Sequence, residues 1–119
     1  MDTDTKAASR IVENYFICMN DQNIEKELTL LTDDFKKNHK VKKEPNLKSI
    51  KLLHIKEADN SYKESYQDKE NTKIFIVKFN RQFKDDNKAV VESGIDYWTV
   101  TVIRKDKNSP WLIAGMGVC

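Results

Sequence analysis

Gly94-Ile95-Asp96-Tyr97-Trp98-Thr99-Val100-Thr101-Val102-Ile103, followed after a polar break by Trp111-Leu112-Ile113-Ala114-Gly115-Met116, is the stretch that decides the fold. Eight of the ten residues from Gly94 to Ile103 are β-branched or aromatic, the types that fit a pleated, half-buried surface. The break, Arg104-Lys105-Asp106-Lys107-Asn108-Ser109-Pro110, is a turn signal, so the two runs read as an antiparallel hairpin. One strand face carries Asp96, Trp98, Val100 and Val102, and the other carries Ile95, Tyr97, Thr99, Thr101 and Ile103. The first set is the more apolar beyond its aspartate, which points Asp96 inward.

Upstream, two further strands precede the hairpin. Lys73 to Phe83 alternates Phe75, Val77 and Phe79 against Ile74, Ile76 and Lys78. Lys84 to Lys88 is a turn, after which the third strand is expected from about Ala89. Leu47 to Glu57 is the first strand, and its Leu52-Leu53 pair disturbs the alternation, which signals a bulge or burial on both sides. Between these strands, Asp59 to Thr72 is a polar hairpin loop whose large residues are Tyr62 and Tyr66. Short or polar connections suit an antiparallel meander.

The N-terminal third is helical. Ala8, Ile11, Val12, Tyr15 and Met19 recur at helical spacing, predicting a helix from about Thr5 to Asn20 capped by Thr3, Asp4 or Thr5. Ile24, Leu28, Leu31 and Phe35 predict a second helix capped by Asp21 or Asn23. From Lys36 the pattern is lost, and five of the eight residues from Lys36 to Lys43 are lysine. That run reads as a solvated loop; the competing reading is a contact for phosphate or an anionic membrane. It carries no aromatic to stack on bases and no arginine fork.

The totals set limits. The 119 residues make one domain, 1–119, large enough for a single core. A net charge of +2 from 21 basic and 19 acidic residues argues against a nucleic-acid partner. The sequence has no apolar run long enough to span a membrane. The polar start predicts either a cytoplasmic protein or one whose Met1 follows a removed export signal. Cys18 and Cys119 read as a disulfide or as two unpaired small hydrophobes.

The usual signatures of chemistry are missing. The histidines are His39 and His54, without a Cys-x-x-Cys, so neither a metal nor a cofactor is expected. Gly115 and Gly117 bracket Met116 and signal a bulge or a close approach of helix to sheet. Two residues stand out. Asp96 is a carboxylate within an apolar strand, and must either face solvent or be buried with a partner. Tyr15 lies on the apolar stripe of the first helix, so its hydroxyl needs a hydrogen bond if buried.

Two helices followed by four strands resemble the nuclear transport factor 2-like superfamily, the cystatin-like α+β cone that includes ketosteroid isomerases. The residues that carry the likeness are Tyr15 to Ile24, Leu30-Leu31-Thr32-Asp33-Asp34-Phe35, Ile74 to Phe79, Gly94 to Trp98, and Trp111-Leu112-Ile113. The opening Asn46-Leu47-Lys48-Ser49-Ile50-Lys51 resembles an uncharacterised branch of small exported or lipid-anchored Gram-positive proteins. In the isomerases a helix tyrosine and a protonated strand aspartic acid form an oxyanion hole. Tyr15 and Asp96 match those positions, but the carboxylate base is missing from Phe35-Lys36-Lys37-Asn38-His39, and the third helix that closes the cone looks absent.

The expectation is therefore an α+β cone, two N-terminal helices on a curved, mostly antiparallel four-stranded sheet. Its function is expected to be non-catalytic binding of a small ligand or protein, extracytoplasmic, with Tyr15, Asp96 and Trp98 lining a pocket. A homodimer through the sheet is open to it. The alternative is an isomerase or lyase acting next to a carbonyl, with His39 as substitute base.

Overall fold

A computed structural model describes residues 1–118. Three helices precede a four-stranded sheet: α1 (Thr3–Asp21), α2 (Ile24–Leu28), α3 (Asp33–Asn38), β1 (Leu47–Glu57), β2 (Thr72–Phe83), β3 (Gly94–Ile103) and β4 (Leu112–Val118). The strands pair antiparallel in the order β1-β2-β3-β4, the expected meander. The fold class is α+β, with the helices on one face of an open sheet.

Helix α1 starts two residues earlier than its apolar stripe suggests. Asp2 is the cap, its carboxylate accepting from the Thr5 N–H at 2.7 Å. At the other end Gln22 adopts a left-handed conformation (φ 53°), and the Asn23 N–H closes the helix on the Cys18 carbonyl at 3.0 Å. The inward face, Ala8, Val12, Tyr15 and Phe16, packs against Phe75, Val77, Phe79, Val100, Val102 and Ile113. Ile11 and Leu28 are only half-buried at the margin of this core.

The second helix departs from expectation. Ile24, Leu28, Leu31 and Phe35 lie at helical spacing, yet the chain breaks after Leu28 and restarts as α3, the third helix that looked absent. Backbone bonds to β4 explain the break. The Ile113 N–H donates to the Leu30 carbonyl at 2.8 Å, and the Thr32 N–H to the Ile113 carbonyl at 2.9 Å. This extended segment buries both Leu30 and Leu31 and runs parallel to β4 at Leu31. Thr32 then caps α3, its hydroxyl accepting from the Phe35 N–H at 3.2 Å. The lysine run is accordingly helical as far as Asn38.

Two of the three bulges fall where the sequence signals them, at Leu52-Leu53 and beside Gly115, and the one at Lys48 does not. In β1 the register shifts across Lys48 and across Leu53, and in β4 across Ala114. Each inserts an unpaired residue and bends its strand. A Cβ added at Gly115 or Gly117 would meet nothing within 4 Å, so of the two glycine readings the close helix approach fails. Strand β3 begins at Gly94, not near Ala89. The glycine has φ +127°, a conformation side-chain-bearing residues rarely adopt, and Asp86–Lys88 upstream forms a 3-10 turn. In the first hairpin loop Asn60–Lys63 is also a 3-10 turn, with Tyr62 and Tyr66 exposed.

Candidate functional site in the cavity between helices and sheet

The concave face of the sheet carries Arg81 from β2 and Asp96 and Trp98 from β3, all on the core-facing side. Opposite them lie Tyr15 from α1, Glu27 from α2 and His39 just after α3. Between the two sets is a cavity of about 270 Å³ whose walls include Tyr15, Glu27, His39, Arg81, Trp98 and Met116. This volume is at the small end of the roughly 300–1,000 Å³ typical of small-molecule pockets.

Tyr15 is buried, and its hydroxyl has the partner its position demands. The bond is to His39 Nε2 at 3.5 Å, the long limit for such a contact, and the Glu27 carboxyl is near enough for its field to act on the hydroxyl. Burial, followed by the field of Glu27, pushes the Tyr15 hydroxyl far above its ordinary range. Glu27 is 5% exposed, and burial pushes its carboxyl up. His39 is held flat on Phe35, ring centroids 4.7 Å apart and planes 14° from parallel.

Asp96 is on the expected inner face of β3, and it is paired there. Its Oδ2 accepts from Arg81 Nη2 at 3.0 Å, and its Oδ1 from the Tyr97 N–H at 2.8 Å. The Asp96 side chain is 42% exposed against 12% for Arg81, so the carboxylate is not the dry group an oxyanion hole requires. Asp96 is also not among the walls of the cavity, whereas Tyr15, Trp98 and His39 are.

Arg81 and Glu27 are the functional candidates that sequence reading missed. Arg81 lies in an aromatic box: its guanidinium carbon is 5.4 Å from the Phe79 ring centroid, 5.9 Å from Phe83 and 6.0 Å from Trp98. Its Nε is buried without a hydrogen-bond partner. The signal was in the sequence, since Phe75, Val77, Phe79, Arg81 and Phe83 share one parity; extending the inward face past Phe79 finds the arginine. Glu27 gave no such signal, because it lies on a five-residue helix among other charged residues.

A second hollow, about 580 Å³, runs between α1 and β1 and includes Phe16, Ile17, Leu52 and Leu53 in its walls. It is larger, but Ile17 and Leu53 are each more than half exposed, and it lacks converging buried polar groups. Among the described residues no group of three or more His, Cys, Asp or Glu side chains could hold a metal ion. Among the described residues no helix is long and apolar enough to cross a membrane. The Cys18 thiol is buried, while Cys119, its suggested disulfide partner, lies outside the described residues.

Neither the curated proteins nor the solved structures include a match to this chain. Residues 9–117 match the family described as Domain of unknown function (DUF4829), and the chain belongs to that family.

Proposed function

We propose that this is a non-catalytic binding domain of the nuclear transport factor 2-like kind, extracytoplasmic in the bacterium that makes it, which holds a small ligand between helices and sheet. One observation carries the reading: polar side chains from separate elements, the buried Tyr15 and Glu27 and the part-buried Arg81, converge on one cavity beside Trp98. Few polar groups in a largely apolar concavity are what fixes a ligand's orientation. The hollow along β1 has the volume without that chemistry. A fragment screen read by ¹H–¹⁵N NMR tests this. Hits should shift resonances of Trp98, Met116 and His39 together; hits confined to Ile17 and Leu53 would overturn it.

The second reading, an isomerase or lyase acting next to a carbonyl, is favoured by the Tyr15 hydroxyl and the raised Glu27 carboxyl lying together at the cavity. A neutral tyrosine hydroxyl is a suitable donor to a developing enolate, and His39 is the base within reach of it. Its test is solvent deuterium exchange at the α-carbon of small ketones: exchange that is lost in both Tyr15→Phe and His39→Ala would favour the enzyme.

A further inference from the structure

We infer that the ligand is a small carboxylic acid with a planar apolar body, its carboxylate received by Arg81. This rests on the cavity reading above. The argument begins with an incomplete arginine. A guanidinium offers a planar fork that suits a carboxylate bidentately, and one removed from water should have its donors paired. Arg81 gives Nη2 to Asp96 at 3.0 Å and its Nε is sealed from solvent without a partner, so the donors a guest can reach are the terminal Nη groups. The fork is thus held in place by an internal carboxylate and left under-occupied.

The surroundings favour an anion. Lys40, Lys42 and His39 line the same cavity as Arg81. Of the two acids there, Glu27 is buried and pushed toward its neutral form. Glu44 is exposed, and its Oε1 is engaged by the Asn46 N–H at 3.3 Å. The ring of Trp98 is the flat wall beside the guanidinium, 4.4 Å from Phe79 between centroids. The volume of about 270 Å³ limits the guest to a single ring or its equivalent. One available fork, and a partner aspartate that already demonstrates the pairing, select a carboxylate over a doubly charged phosphate.

The internal pairing makes a signed prediction. Asp96 competes with the guest for the fork, so neutralising it should tighten binding. The probes are benzoate and its neutral isostere benzamide, titrated by NMR into wild type, Asp96→Asn and Arg81→Gln, with folding checked by thermal melts. Wild type should prefer benzoate by about tenfold, the worth of a charge-assisted pair. Asp96→Asn should tighten benzoate severalfold and leave benzamide unchanged, whereas Arg81→Gln should bring benzoate down to the benzamide level. Equal binding of the two probes with shifts at Trp98 would overturn the carboxylate assignment and leave the cavity reading standing. So would unchanged or weaker benzoate binding in Asp96→Asn, an arm that does not depend on Arg81→Gln folding. Phenyl phosphate binding more tightly than benzoate would replace carboxylate by phosphate. If neither benzoate nor benzamide moves any cavity resonance, the inference and the cavity reading fall together.

Discussion

The two ends of the sheet's concave face each hold an arginine between an aspartate and aromatic rings, and the two are finished differently. Arg104, just past β3, donates Nη1 and Nη2 to the two Asp4 oxygens, each at 3.1 Å, and Nε to Asn71 at 2.7 Å. Its guanidinium carbon lies 4.5 Å from the Trp111 ring centroid. It ties the start of α1 to the β3–β4 hairpin. Arg81, at the other end, donates Nη2 to Asp96 and has an orphaned Nε. The closed end is not free of defects, since the Thr5 hydroxyl is also buried without a partner, but that group is neutral. The same side chain with its donors occupied is a clamp; left short of a partner beside a cavity, it is what the proposed carboxylate site requires.

The residue that anchors the Arg81 end is Phe79, fully buried on β2 and packed between Phe16 and Trp98. Phe79→Ala should have the largest effect, a loss of about 3–5 kcal/mol, measured by urea denaturation. It should also remove the cavity's ligand response, because the ring is part of the Arg81 box. A loss below about 1 kcal/mol would break the face assignment for β2 and the comparison with it.

Next come the arginines themselves. Arg104→Met should cost about 2 kcal/mol, the sum of its lost charged hydrogen bonds discounted because Asp4 is half-exposed and can be rehydrated. Arg81→Met should cost no more than about 1 kcal/mol: Asp96 is similarly rehydrated, and an unpaired buried donor is removed with the side chain. Comparing the two melting curves sharpens the distinction. Equal losses would mean that Arg81 is a clamp as well, and that its orphaned Nε says nothing of a guest.

This difference shows how far the sequence could be read. The strands, their order and the inner parity of Phe75, Val77 and Phe79 were legible because period-two alternation survives wherever one sheet face is buried. So was the inward side of Asp96. Its partner was not: Arg81 pairs with it diagonally, since Asp96 is opposite Phe79 in the register and Arg81 opposite Gly94, and only a fixed register reveals that. The break between α2 and α3 was hidden because Ile24, Leu28, Leu31 and Phe35 keep helical spacing across it. What divides them is a pair of backbone bonds to β4, which leave no trace in side-chain pattern. Glu27 was illegible for a related reason: its burial comes from where α1 places Tyr15, not from its own neighbours.

Glu27 also supplies the smallest expected effect, with a sign that separates the ends. Burial raises its folded-state pKa above the ordinary 4.5. As pH rises past the ordinary value the unfolded chain loses this proton first, so the native state binds more protons and stability falls through the window up to the raised value. At the other end Asp2 is held below its ordinary 3.8 by the Thr5 N–H. Its contribution is present above that value and is lost as pH falls toward the lowered one. Glu27→Gln keeps the size and polarity of the side chain and removes the titrating proton. Its melting temperature relative to wild type should therefore climb as pH rises from about 4.5, then level off above the native value. Asp2→Ala should show the opposite course, with its deficit shrinking toward low pH. A Glu27→Gln difference that stays flat from acid to neutral pH would mean this carboxyl ionises as freely in the folded protein as in the unfolded one. The cavity would then hold a full negative charge beside the site assigned to the guest's carboxylate.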